Sequence, residues 1–231
     1  MTVQGRFRQL PTVWQAILPG LVITLVAAVA FLAILDAVLE KNDISSWDQP
    51  MLDWMVSIRT PWLTEVMTFV THIFGPVVLP ILVAIACVIW GLVSHRWRDP
   101  ILLASAMILS TILSSIVKVI VERPRPDESL QVIPGFETSF SFPSGHTTGA
   151  ATLVLVTGYL LWREHKGKRA LAVWIVCSLV VVALVGGSRL YLGYHFLSDV
   201  LAGICLGFVT LGLVITASRL LDMRHGVLRV P

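Results

Sequence analysis

The chain has 231 residues, of which 56% are hydrophobic and only 13% charged, and its mean hydropathy is +0.83. Soluble domains carry about 25% charged residues, so this composition excludes an ordinary soluble protein and indicates a membrane one. The formal net charge of +3 comes from basic residues at the ends of apolar runs rather than in one stripe, which leaves no footprint for a nucleic-acid partner.

Uncharged runs, with His counted neutral, cover 9–35, 66–95, 100–117, 138–162, 170–188 and 200–218. Each meets the roughly 18 residues that a helix needs to cross a bilayer. The prediction is an all-α fold, a bundle of six transmembrane helices forming one domain over 1–231. The first run follows Arg6 and Arg8 and contains Ala28-Val29-Ala30, a small-residue cleavage pattern. Apolar sequence continues through Phe31 to Leu35, longer than a signal peptide requires, so the run reads as a retained anchor.

Between the first two runs, Trp47, Met51, Trp54, Met55 and Ile58 recur at roughly helical spacing among Asp48, Asp53 and Arg59. This predicts an amphipathic helix lying in the interface, a connector that closes one side of the bundle, with a substrate-binding lid as the alternative. His72, near Gly75-Pro76, reads as a structural histidine, with a place lining the substrate cleft as the alternative. The segments Ser94–Pro100 and Arg163–Arg169 are tight basic turns without assigned chemistry. Cys87, Cys177 and Cys205 sit in apolar runs without paired spacing and read as small buried apolar residues, neither a disulfide framework nor a zinc site. The stretch from Asp222 to Pro231, with Arg224, His225 and Arg229, reads as a short tail near anionic headgroups.

Six spans put both termini on one side, together with the turns near 94–99 and 163–169. That side holds 11 of the 17 basic residues: Arg6, Arg8, Arg96, Arg98, Arg163, Lys166, Lys168, Arg169, Arg219, Arg224 and Arg229. The positive-inside rule makes it the cytoplasm. The two long connections, at about 37–65 and 119–143, then lie on the outer side, where function is expected to concentrate.

Three polar clusters fall on that same side. In the first, Lys118 is followed by Arg123-Pro124-Arg125-Pro126, and the prolines stop the helix. A lysine on the last turns and an arginine just beyond can converge on a multiply charged oxyanion, although isolated cations near span ends also snorkel to the interface. The second, Phe142-Pro143-Ser144-Gly145-His146-Thr147-Thr148, precedes the fourth span and suits a helix start whose amides face an anion. A capping turn with an incidental histidine is the alternative. In the third, Ser188-Arg189 is followed by His195 and Asp199, four apart; on a helix they share one face, so the carboxylate can hold one ring nitrogen protonated. Asp199 needs a partner at a span end, and His195 is the nearest.

Read together as Lys-x6-Arg-Pro, Pro-Ser-Gly-His and Ser-Arg-x5-His-x3-Asp, the clusters resemble the type 2 phosphatidic acid phosphatase family, whose superfamily includes soluble bacterial acid phosphatases and vanadium haloperoxidases. All three motifs match without gap or substitution, and the resemblance extends from about Asp48 to Leu213. It implies that Lys118, Arg125 and Arg189 hold the phosphate oxygens, with Ser144 and the Gly145 backbone completing the cradle. It implies that His195 attacks phosphorus, that Asp199 orients it, and that His146 protonates the departing oxygen and then activates water. Three fixed cations supply the charge that phosphoryl transfer needs, and no carboxylate cluster suits magnesium, so neither metal nor cofactor is expected. Family spacing selects Arg125 over Arg123, which is left as a surface cation. Asp127, Glu128 and Glu137 read as solvated loop acids, and Tyr191 and Tyr194 as interface anchors.

The expected function is hydrolysis of a membrane lipid monophosphate or diphosphate: polyprenyl diphosphate, phosphatidylglycerol phosphate or phosphatidate, through a phosphohistidine. An outward-facing site slightly favours the polyprenyl carrier. The alternatives are transfer of the phosphoryl group to a sugar or lipid hydroxyl, and a non-enzymatic lipid-phosphate binder. A haloperoxidase would need a soluble scaffold. The partners expected are the lipid substrate and the bilayer, in the cytoplasmic membrane; the sequence does not set an oligomeric state.

Overall fold

Apolar runs become helices here wherever proline, glycine or a cap does not interrupt them. The computed structural model describes residues 12–133, 135, 137–165 and 167–224, and every regular element among them is helical. Helix α1 spans Thr12–Glu40. A 3₁₀ turn at Asp43–Trp47 leads into α2 (Asp48–Ser57), α3 (Pro61–Ile73) and α4 (Val78–Ser94). Then come α5 (Arg98–Val121), a long loop with a 3₁₀ turn at Glu128–Leu130, α6 (Gly145–His165), α7 (Lys168–Tyr191) and α8 (Leu197–Arg224). Arg6, Arg8, Lys166 and the tail from His225 through Arg229 lie outside the described residues.

Two predicted runs are recut. The run 66–95 is not one straight span: α3 starts at Pro61, and α3 and α4 are bent by 54° across the break between them. Gly75-Pro76 occupies that break, and Pro76 has no N–H to continue the ladder. The run 138–162 begins too early, because Pro143 and Ser144 delay α6 to Gly145. Ser144 caps it: its carbonyl accepts from the Thr148 amide at 2.9 Å.

Helices α1, α5, α7 and α8 are each long and apolar enough to cross a membrane, and the bent α3–α4 pair makes a fifth if taken as one. Helix α6 opens on Gly145-His146-Thr147-Thr148-Gly149 and is less apolar. The distribution of side chains inverts that of a soluble protein. Leu25, Val93, Ile120 and Leu179 face outward, while Thr147, Thr152, Arg189 and Asp199 are wholly buried. Cys87 is buried as expected, but Cys177 is exposed, on the outward side of α7. Within α2, Asp48 and Leu52 are buried one turn apart while Trp54 stays exposed, so one edge of this helix docks on the bundle.

Helix α8 is the central post, packed against α1, α5 and α6. Small residues set its approach to α6: a Cβ on Gly207 would lie 2.5 Å from the Ala151 Cβ, and one on Gly203 would lie 2.8 Å from the Ser144 carbonyl oxygen. The two helix starts therefore touch, and the Ser144 amide donates to the Asp199 carbonyl at 3.0 Å. A Gly207→Val substitution is expected to cost about 2 kcal/mol of stability by overpacking. Thermal unfolding in detergent checks this, and Ala151→Gly in the same chain should recover part of the loss.

The other end of the bundle is stapled by charge. Arg98 pairs with Asp222 at 2.6 Å and donates to the Ser218 carbonyl at 2.7 Å, while Arg163 bonds Asp99 and the Ser218 hydroxyl. Lys118 lies near the opposite end of α5 from Arg98, roughly 30 Å away at 1.5 Å per residue.

Candidate active site

The three motifs converge. Lys118 on α5, Arg125 in the following loop, Gly145 and His146 at the start of α6, Arg189 in the last turn of α7 and His195 before α8 all line one cavity of about 660 Å³. The same cavity runs on to Phe74, Leu79, Thr111 and Met107. Met107 lies three turns along α5 from Lys118, so a polar mouth continues into an apolar slot roughly 16 Å deep.

His195 is almost fully buried. It precedes α8, so its partnership with Asp199 arises from the chain's turn into the helix, not from a shared helical face. Asp199, in the first turn of α8, accepts from the Phe196 amide at 2.8 Å, as an acidic residue three positions inside a helix start commonly does. Its carboxylate lies 3.3 Å from His195 Nδ1 and also accepts from the Ser141 hydroxyl. On the ring's other side, Arg125 Nη1 is 3.3 Å from Nε2. An arginine can only donate, so this contact assigns Nε2 as the acceptor and the ring proton to Nδ1, toward Asp199. Burial first, and then the Arg189, Arg125 and Lys118 cations, push His195 well below the ordinary histidine range. The result is a neutral imidazole with a free nitrogen beside a cationic cavity, an arrangement able to attack an electrophile held there.

Arg125 also donates to the Tyr194 carbonyl at 2.8 Å and the Ser139 carbonyl at 2.7 Å. Lys118 Nζ donates to the carbonyls of Phe140 and Ser141. Arg189 is wholly buried, donates to Thr71 Oγ1 at 2.5 Å and stacks 4.7 Å above the Tyr194 ring. His146 is within electrostatic reach of Arg189, His195, Arg125 and Lys118. Gly145 opens onto the cavity, with no atom within 4 Å of the place a Cβ would take. Ser144 differs from expectation: its hydroxyl is buried, accepts from Thr147 and does not line the cavity, because capping α6 turns it inward.

Four sequence readings are corrected. Glu137 is not a solvated acid: it bridges Arg125, at 2.7 Å, and Arg189, and lines the cavity. Arg123 is not a surface cation: it forks between Asp199 at 2.6 Å and Asp48 at 2.7 Å, so Arg123 rather than His195 is the close charged partner of Asp199. Tyr191 and Tyr194 are buried, the Tyr191 hydroxyl accepting from the Thr60 amide at 2.8 Å and the Tyr194 ring lying under Arg189. His72 lines the cavity wall. The loop that carries Glu137 is strapped to the α7–α8 turn, where Gly193 adopts φ +78 and a Cβ would meet the Leu130 carbonyl oxygen at 2.2 Å.

Comparison with known proteins follows the same lines. A profile of the PAP2 superfamily matches residues 99–223. Phosphatidylglycerophosphatase B of Bacillus subtilis (strain 168) is 38% identical over 189 residues, covering 80% of this chain and 89% of that protein. The undecaprenyl-diphosphatase of Sulfolobus acidocaldarius is 28% identical over 114 residues, 46% of this chain and 49% of that one. Among solved structures, the transmembrane PAP2 type phosphatidylglycerolphosphate phosphatase from Bacillus subtilis superposes with a TM-score of 0.75 at 32% identity, covering 90% of this chain and 98% of that one. Aquifex aeolicus LpxE gives a TM-score of 0.55 at 25% identity, covering 73% of this chain and 93% of that one.

Proposed function

Because this chain belongs to the PAP2 superfamily and is a membrane lipid phosphatase, we propose that it releases phosphate from phosphatidylglycerol phosphate, with His195 as the nucleophile. The observation that carries the reading is the Nε2 of His195, 3.3 Å from Arg125 Nη1, at a cation-lined cavity that continues into an apolar slot. A phosphate head fits the cationic mouth and an acyl chain the slot. The 38% identity to a phosphatidylglycerophosphatase supports this substrate ahead of the polyprenyl diphosphate that an outward-facing site favours.

In the proposed reaction Lys118, Arg125 and Arg189 hold the phosphate oxygens, together with amides at the α6 start around Gly145. Nε2 forms a bond to phosphorus as the bond to the lipid oxygen breaks, and His146 gives that oxygen a proton. His195 becomes a phosphorylated imidazolium, and the Asp199 carboxylate opposite Nδ1 stabilises it. His146, now neutral, takes a proton from water as the water oxygen attacks phosphorus, and Nε2 leaves as the neutral ring. Catalysis rests on positioning and fixed charge, as phosphoryl transfer requires.

The proposed topology has six spans: α1, the bent α3–α4 pair, α5, α6, α7 and α8. Both termini are cytoplasmic, α2 lies in the outer interface, and the site faces the extracytoplasmic side. The basic turns at 94–99 and 163–169, at the far end of α5 from Lys118, support this orientation.

The test is phosphate release by purified protein from phosphatidylglycerol phosphate, phosphatidate and undecaprenyl diphosphate, with EDTA present. The expected result is fastest turnover on phosphatidylglycerol phosphate, undiminished by EDTA. Preference for the diphosphate would overturn the substrate assignment.

A further inference from the structure

Arg123 lies outside the cavity lining, yet it contacts Asp199, whose carboxylate faces the His195 ring. Its Nη1 donates to Asp199 Oδ1 at 2.6 Å and to the Ser198 hydroxyl at 2.7 Å, and its Nη2 donates to Asp48 Oδ2 at 2.7 Å. The guanidinium plane rests over the Phe196 ring, 4.4 Å from its centre. Asp48 closes the circuit: it accepts from the Ser198 amide at 2.8 Å and from the Ser198 hydroxyl at 2.7 Å. Two carboxylates thus share one guanidinium at the N-terminus of α8, whose dipole supplies the remaining positive field.

The consequence for Asp199 is complete saturation. Oδ1 is taken by Arg123, while Oδ2 takes the Ser141 hydroxyl, the Phe196 amide and the His195 Nδ1 side. A carboxylate with that many donors is held in one orientation. Asp48 sits on α2, in the connection between α1 and α3, so this connector is tied into the machinery through a buried ion pair.

We propose that Arg123 and Asp48 are positioning residues for phosphoryl transfer. Arg123 holds the Asp199 carboxylate aimed at His195 Nδ1, and Asp48 holds Arg123. This rests on the reading of His195 as nucleophile. A fork is required, because one cation must reach two carboxylates in different directions; a lysine supplies a point charge and cannot do both.

The experiment compares wild type with Arg123→Ala, Arg123→Lys and Asp48→Asn by steady-state kinetics on phosphatidylglycerol phosphate, by inhibition with orthovanadate, and by NMR of the imidazole nitrogens in histidine-labelled protein. Arg123→Ala is expected to lower kcat about 50-fold, with KM and the vanadate inhibition constant changed less than about threefold, since no phosphate ligand is removed. Arg123→Lys should recover little of the loss. Asp48→Asn, the milder change should Arg123→Ala fail to fold, is expected to give an intermediate loss of kcat. In both Arg123→Ala and Asp48→Asn the His195 Nδ1 proton should broaden. Retention of kcat by the variants, or a parallel loss of KM and vanadate affinity, would overturn the proposal. The NMR signature does not need turnover, so an inactive wild type would sink the phosphatase reading while leaving the positioning role to be decided by the spectra.

Discussion

Replacing His195 with alanine is expected to lower phosphate release about 10⁴-fold, equivalent to about 5.5 kcal/mol of barrier, while orthovanadate still binds. The alanine removes the ring whose Nε2 lies 3.3 Å from Arg125 Nη1, and leaves Lys118, Arg125 and Arg189 in place. Wild-type protein quenched in base, where a phosphorus–nitrogen bond survives, should carry phosphate that acid then releases, and the variant none. Turnover within tenfold of wild type would end the histidine mechanism. The same nitrogen sets a pH expectation. Burial and three neighbouring cations lower the His195 pKa, so the reactive neutral ring persists as pH falls below the ordinary value of about 6.5. An imidazole NMR titration without substrate should therefore find it neutral there. Arg125→Gln removes one cation, and its midpoint should move up.

The apolar runs made the helices legible, because nothing but a helix satisfies its own backbone inside a bilayer. Their ends were legible only where a residue enforces one. Pro143 and Ser144 do so for α6, and Gly75-Pro76 announced the bend between α3 and α4 to any reading that weighed the pair above continuous hydropathy. The site was legible in a different way. Lys118, Arg125, His146, Arg189 and His195 are spaced by motif, and all five meet at one cavity. Asp48, Arg123 and Glu137 were not legible, for a physical reason. Their roles are pairings across the fold: Asp48 and Arg123 are 75 residues apart, as are Arg123 and Ser198. No periodicity reports such a pairing. A weak clue existed at Arg123, since a cation two residues beyond the end of a span needs an explanation and Asp199 needed a partner. Neighbourhood in sequence gave His195 that place, whereas geometry gives Arg123 the shorter contact.

Arg189→Met is the second substitution with a large expected effect, and it separates chemistry from architecture. Arg189 is the largest fully buried side chain among the described residues, held by Glu137, Thr71 Oγ1 and the Tyr194 ring, with its Nε lacking a protein partner. Removing the cation strands Glu137 in a mostly desolvated site with Arg125 alone. Breaking a buried pair from one side costs about 3–5 kcal/mol, and the partial exposure of Glu137 argues for the lower end, about 3 kcal/mol. Turnover should fall roughly 10³-fold if Arg189 is, as proposed, a fixed donor to the transferring phosphoryl group. Adding Glu137→Gln to the same chain removes the stranded charge. Stability should then return to within about 1 kcal/mol of wild type, since deleting both partners of a buried pair is nearly neutral, while turnover stays low. Thermal unfolding and phosphate release on the four members of this cycle provide the reading. If activity in the double variant recovered with stability, Arg189 would be a structural counter-ion to Glu137 and the phosphate would be held by Lys118 and Arg125 without it.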